Sequence, residues 1–179
     1  IHVTARSIST QALTISGDHS DIYSVRNTGF AMLASSSVQQ VMDLGAIAHL
    51  AAVKSRVPFL HFFDGFRTSH EIQKIEVIDY ADLDRLLDYG AVDAFRRRAL
   101  NPEKPVTRGT SQNPDIFFQM REAANMFYDA IPDMVDSYMS EISAITGREY
   151  HPFTYYGDKN AEFVVIAMGS VTESLQEAV

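Results

Sequence analysis

Phe59-Leu60-His61-Phe62-Phe63-Asp64-Gly65 is the stretch whose reading decides the fold. A near-continuous apolar run closed by a turn pair predicts a strand buried on both faces, the habit of parallel sheets covered by helices. Immediately upstream, Arg56-Val57-Pro58 ends a helix predicted over residues 38–54, where Val41, Leu44, Ile47, Ala48 and Ala51 recur at intervals of three and four. Ser35-Ser36-Ser37 offers N-cap hydroxyls for that helix. Ala31-Met32-Leu33-Ala34 before it is a second short buried strand. Strand–helix–strand of this kind is a βαβ unit, and open α/β sheets bind ligands beyond the carboxyl ends of their strands. Residues 1–5 read as another strand end. The loops after residue 5 and after residue 63 are therefore expected on one edge of the sheet.

Outward from this unit, residues 6–30 are loop-rich, with Gly17-Asp18-His19-Ser20-Asp21 as the turn signal. Residues 80–88 and 92–100 predict two short helices joined at Gly90, and residues 101–114 a long loop. Residues 115–146 predict a long helical stretch broken near Pro132 and stopped by Gly147. Residues 150–161 form a linker. Phe163-Val164-Val165-Ile166-Ala167-Met168 predicts a fresh buried strand, turned by Gly169-Ser170 into a helix with Ser170 and Glu173 at capping-box spacing. The expected organisation is one α/β domain over residues 1–149, the linker, and the first strand–helix of a second α/β unit over residues 162–179.

Composition narrows the function classes. The 179 residues carry 15 Lys+Arg against 23 Asp+Glu, a net charge of −8, which argues against a nucleic-acid surface. The one dense basic run, Arg96-Arg97-Arg98, sits among acidic residues and reads as a solvated helix face. Without cysteine the chain can supply neither a disulfide nor a thiolate ligand to zinc or an Fe–S cluster. No apolar stretch approaches the ~20 residues of a membrane span. A cytoplasmic setting is expected. The chain opens on Ile1 in a strand-like stretch and closes inside a helix-like one, so it reads as an internal piece of a longer protein.

Four places carry candidate chemistry. Arg6, where a strand leaves the sheet, has the planar fork that grips a carboxylate or phosphate; on spacing alone an ordinary ion pair with one of the 23 acidic residues is the commoner role. Asp18 and His19 pair an orienting carboxylate with a titratable ring, but Gly, Asp and Ser are also turn formers and no other histidine stands at metal-ligand spacing. Asp64 and Arg67 are candidate site or interface residues beside Thr68 and Glu71, which stand at capping-box spacing. Gly169-Ser170 precedes a helix but lacks the glycines and lysine of a phosphate loop. Metal ligands are expected to be none.

Several segments, in order, resemble one family: His2-Val3-Thr4-Ala5-Arg6, Gly17-Asp18-His19, Thr28-Gly29-Phe30-Ala31-Met32-Leu33-Ala34-Ser35-Ser36-Ser37, Phe59 through Glu71, Arg108-Gly109-Thr110, Gln112-Asn113-Pro114-Asp115 and Arg121-Glu122-Ala123-Ala124-Asn125. Together they resemble the single-chain pyruvate:ferredoxin (flavodoxin) oxidoreductases over essentially the whole chain. The resemblance implies a thiamine-diphosphate-binding fold, truncated at its N-terminal side, covering the later part of the pyrimidine-binding domain. Residues from about 162 resemble the start of the transketolase C-terminal-like domain. It implies oxidative decarboxylation of pyruvate on thiamine diphosphate with Mg2+, acetyl transfer to coenzyme A, and electrons leaving through [4Fe-4S] clusters in other domains to ferredoxin or flavodoxin, in a homodimer. It makes Arg6 the holder of the substrate carboxylate and places Asp18 and His19 near the cofactor mouth. The family's activating glutamate and the diphosphate and Mg2+ sites fall outside this sequence, so the chain alone is expected to be inert. Two other readings are a relative acting on a different 2-oxo acid, such as 2-oxoglutarate or a branched-chain acid, and a non-catalytic scaffold.

Overall fold

The computed structural model describes residues 1–106 and 109–179. Its centre is a parallel three-stranded sheet of order β1-β3-β2, from β1 (His2–Ala5), β2 (Ala31–Ala34) and β3 (Phe59–Asp64). The register sets His2 against His61 and Ala5 against Asp64, and Ala31 against Phe59. The middle strand is the apolar run read from the sequence: Phe59, Leu60, His61 and Phe62 are all buried, as a strand covered on both faces requires.

Helix α2 (Val38–Ser55) connects β2 to β3. It begins where Ser37 Oγ accepts the Gln40 N–H at 3.2 Å, so the expected serine cap is made. Its stripe of Leu44, Ile47, Ala48 and Ala51 packs with Phe59 and with Val135, Tyr138, Met139 and Ile142 of α6 (Ile131–Thr146). Each large side chain buried there contributes roughly 1.5–3 kcal/mol. Alternation along β3 sends Leu60 and Phe62 to the opposite face, where they join Ala5 and Ile22 under partly buried Val3, Phe30 and Met168.

The remaining α-helices are α1 (Ser20–Val25), α3 (Tyr80–Leu86), α4 (Tyr89–Arg98), α5 (Pro114–Asp129) and α7 (Val171–Ala178). The break between α5 and α6 falls at Ala130, with Pro132 in the first turn of α6, where the missing N–H costs nothing. Five expectations are corrected. Residues 20–25 form a helix inside what reads as loop; Asp18 Oδ1 accepts the Ser20 N–H at 2.6 Å and so starts it. Gly90 lies inside α4, and the joint between the short helices is at Leu87 and Asp88, whose carboxylate caps α4. Thr68 and Glu71 do not form a capping box: Thr68 is buried and donates to Ser36 O. Ser170 does not cap α7, because its hydroxyl and N–H are drawn to Asp64.

The fifth concerns residues 163–168. They form no strand, and Phe163, Val165 and Ile166 are exposed. An apolar run becomes a strand only against a ladder partner, and among the described residues none pairs with it. Of the long loop over residues 101–114, the described part holds one isolated bridge, Asn101 to Lys104. Arg108 of the family-like segments lies outside the described residues.

Candidate active-site edge

The three strands end together at Ala5, Ala34 and Asp64, and the candidate residues gather there. At the end of β3, Asp64 is buried and takes bonds from two separate segments. Ser170 donates its backbone N–H at 2.7 Å and its hydroxyl at 2.5 Å to Oδ2. His19 Nε2 lies 2.5 Å from Oδ1. Burial alone would raise the Asp64 carboxyl; the bonds from Ser170 and His19 together outweigh it and hold the group below the ordinary carboxylate range. An ionised carboxylate only accepts, so Nε2 of His19 is the donor in this contact. The His19 ring also meets Phe62 edge-on at 5.6 Å.

Gly169 makes this approach feasible. Its φ is +78°, and a Cβ there would stand 2.8 Å from the Asp64 carboxylate and 3.1 Å from His19 Cε1. The start of α7, the loop over residues 17–21 and the carboxyl end of β3 therefore meet at a single carboxylate.

Arg6 leaves β1 beside them. Its N–H donates to Asp21 Oδ2 at 2.9 Å, which ties the strand end to α1. Its guanidinium sits over the Phe66 ring at 4.8 Å, with Nη2 donating to Thr4 Oγ1 at 3.4 Å. Among the described residues no carboxylate pairs with that guanidinium, unlike Arg67, which faces Glu71 at 3.6 Å. The ion pair expected from spacing alone is absent there. The sequence thus indicates three of the groups at this edge, Arg6, His19 and Asp64. Asp18 stands at the same edge but is exposed and occupied as the acceptor that starts α1. Phe66 and the Asp64–Ser170 bond were not foreseen: no local signal marks a phenylalanine at positive φ or a contact across 106 residues.

A second polar row lies on the α2 face of the sheet. His49 Nε2 is 2.9 Å from His2 Nε2, His2 Nδ1 is 2.8 Å from His61 Nδ1, and His61 Nε2 is 2.7 Å from Ser35 Oγ. Burial, and then the neighbouring His2, push His61 down to about 4. The rings are bonded end to end. Among the described residues no group of three or more His, Cys, Asp or Glu side chains is placed to hold a metal ion. The alternation of β3 and the β1–β3 register are what bring His2 and His61 together, so a register assignment is the signal that finds them.

No helix among the described residues is long and apolar enough to cross a membrane. Residues 1–140 match a family model described as pyruvate flavodoxin/ferredoxin oxidoreductase, thiamine-diphosphate-binding. The chain is similar to the pyruvate-flavodoxin oxidoreductases of Enterobacter agglomerans (66% identical over 178 residues) and Klebsiella pneumoniae (64% over 178). It is also similar to the pyruvate:ferredoxin oxidoreductase of Moorella thermoacetica, 59% identical over 178 residues. Each alignment covers 99% of this chain but 15% of the relative's length. With a parallel sheet flanked by helices and polar groups gathered at its carboxyl edge, the chain belongs to the thiamine-diphosphate-binding family of the pyruvate flavodoxin/ferredoxin oxidoreductases.

Proposed function

We propose that this chain supplies the pyrimidine-side edge of a thiamine diphosphate site in a longer oxidoreductase that oxidatively decarboxylates pyruvate. In this reading residues 1–149 are the later part of the pyrimidine-binding domain, residues 150–161 a linker, and residues 162–179 the start of the next domain. The observation that carries it is Arg6, a cation at the carboxyl edge of the sheet with an aromatic face and a hydroxyl for company and no carboxylate partner among the described residues. A guanidinium so placed binds an incoming carboxylate through two parallel N–H donors.

The residues at this edge suit the substrate side of such a site better than the diphosphate side. Arg6 and the hydrogen-bonding ring of His19 fit an organic anion and a heterocycle, whereas no loop here carries the glycines and lysine of a phosphate cradle. The diphosphate with its Mg2+ is assigned to other parts of the protein. Thiamine diphosphate, when bound, would supply the carbanion stabilisation that decarboxylation needs. This chain's part is to hold and orient: Arg6 fixes the carboxylate, and His19, locked by Asp64, borders the cofactor mouth with Asp18 on the same loop. With no cysteine, the chain leaves [4Fe-4S] ligation, and electron delivery to ferredoxin or flavodoxin, to other segments. Acetyl transfer to coenzyme A, homodimer assembly, a cytoplasmic setting and inactivity of the isolated chain belong to the same proposal.

Arg6→Ala in the full-length protein tests it. Losing a charge-assisted pair should raise the KM for pyruvate roughly 10- to 100-fold. An unchanged KM and kcat would remove Arg6 from the site. Running the same assay over several 2-oxo acids identifies the substrate, and no turnover of any of them favours a scaffold.

A further inference from the structure

We infer that Phe66 is a positioning residue whose ring, held in a bracket built by Ser69 and His70, fixes the Arg6 guanidinium for carboxylate capture. The inference rests on the reading of Arg6 as the carboxylate holder. Phe66 is one of two non-glycine residues at positive φ among the described residues, at +65°. A bulky side chain is disfavoured there, and such outliers cluster at functional sites because the surroundings over-determine them.

Three contacts do the determining here. The Phe66 N–H donates to Ser69 Oγ at 2.8 Å. Ser69 Oγ also lies within hydrogen-bond distance of His70 Nδ1, 2.8 Å away. The His70 ring stacks on Phe66 with centroids 5.3 Å apart and planes 22° from parallel. The result is an aromatic face presented under Arg6, whose Cζ lies 4.8 Å from the ring centroid.

Gly65 lets the Arg6 stem come close to this loop. A Cβ at Gly65 would stand 2.7 Å from both Ala5 O and Arg6 Cγ. The Arg6 stem therefore runs over a backbone with no side chain, and its head meets Phe66. A ring face attracts a cation without neutralising its hydrogen-bond donors, which a carboxylate partner would do. The arginine of this loop itself, Arg67, is already matched by Glu71. An arginine rotamer held in place beforehand gives up less freedom when substrate arrives, and that gain appears in substrate binding rather than in the chemical step.

The test uses steady-state kinetics of the full-length protein with pyruvate. Phe66→Leu, which keeps bulk and removes the ring face, should raise KM about 3- to 10-fold with kcat within about twofold. Phe66→Tyr, which keeps the face, should restore KM to within about twofold of the parent. In an Arg6→Ala background Phe66→Leu should leave KM unchanged, because the residue acts through Arg6. Should the leucine variant fail to fold, phenylalanine at 66 replaced by its mono-, di- and trifluoro analogues keeps shape and drains the ring face stepwise. KM should then climb along the series. A flat series, or a leucine effect of the same size with and without Arg6, overturns the inference. If Arg6→Ala raises KM while the Phe66 changes do not, the platform alone fails; if Arg6→Ala has no effect, the carboxylate reading fails and the platform with it.

Discussion

Asp64 and His19, 45 residues apart, meet through a 2.5 Å contact between Oδ1 and Nε2 at the carboxyl edge of the sheet. The same carboxylate holds Ser170 through two further bonds on Oδ2. One buried acceptor thus sets the loop at residues 17–21 and the start of α7 relative to β3. That makes its ionisation a structural requirement: a neutral acid would turn one acceptor into a donor facing a donor.

Asp64→Asn should therefore loosen both attachments at once. The amide keeps the shape but offers one acceptor oxygen for three donors, and each buried donor left unpaired costs about 1–3 kcal/mol. Hydrogen exchange at the Ser170 amide and across residues 17–21 should accelerate together. Acceleration at only one of the two segments would show that they are held independently. The parent protein should lose the same protection in acid. The folded carboxyl lies below its ordinary value of 3.8, so its contribution is present above that value and lost as pH falls through the depressed one.

Behind the sheet, Asp43 is fully buried in α2 and accepts Arg148 Nε at 2.7 Å and the Tyr150 hydroxyl at 2.6 Å. Gln39 adds a longer bond at 3.2 Å. The bond to Asp43 raises Arg148 above its ordinary value, while burial, and then Asp43, push the Tyr150 phenol up to about 12. This cluster fastens the chain after α6 to the middle of α2. Arg148→Met leaves a buried carboxylate short of its main partner and should cost about 3–5 kcal/mol. Glu76→Gln, removing the exposed arm of the same arginine, should cost under ~1 kcal/mol. Denaturant unfolding of both variants separates the two; equal costs would assign the stability to the surface arm.

The parallel sheet, α2 and the break near Pro132 were legible because each is written in a local period or in one backbone-restricting residue. Arg6, His19 and Asp64 were legible as candidates because they follow strands or turns. What joins them was not. The bonds from Ser170 to Asp64 and from Arg148 to Asp43 span 106 and 105 residues, and nothing in either segment alone encodes them. Residues 163–168 misled for the opposite reason: their apolarity is local, whereas a strand needs a partner.

The histidine row predicts an acid-side weakness. Neutral rings bonded end to end can satisfy every contact from Ser35 to His49 in either direction, and one added proton is still accommodated. A second places N–H against N–H. For His61 the folded value of about 4 lies below the unfolded 6.5. The unfolded chain therefore takes the proton first, so stability is fully present above about 6.5 and falls as pH drops toward 4, by up to about 3 kcal/mol. Denaturant titrations between pH 7 and 4 should show this slope. His61→Gln should flatten it, and an equal slope in both proteins would move the cause elsewhere.

Gly65→Ala places the Arg6 stem under direct test. The added methyl would approach Ala5 O, a backbone atom, and Arg6 Cγ, a flexible one, both to 2.7 Å. The bond from Gly65 N–H to Ala5 O, 2.8 Å long, resists movement of the two backbones. The arginine is the part that yields, so its head should leave the Phe66 ring. Overpacking of this kind costs about 1–3 kcal/mol of stability. The specific signature is in catalysis: the KM for pyruvate in the full-length protein should rise toward that of Arg6→Ala, and Gly65→Ala should add nothing to KM once Arg6 is already alanine. An alanine variant that loses stability but keeps its KM would show that the stem can shift without moving the guanidinium.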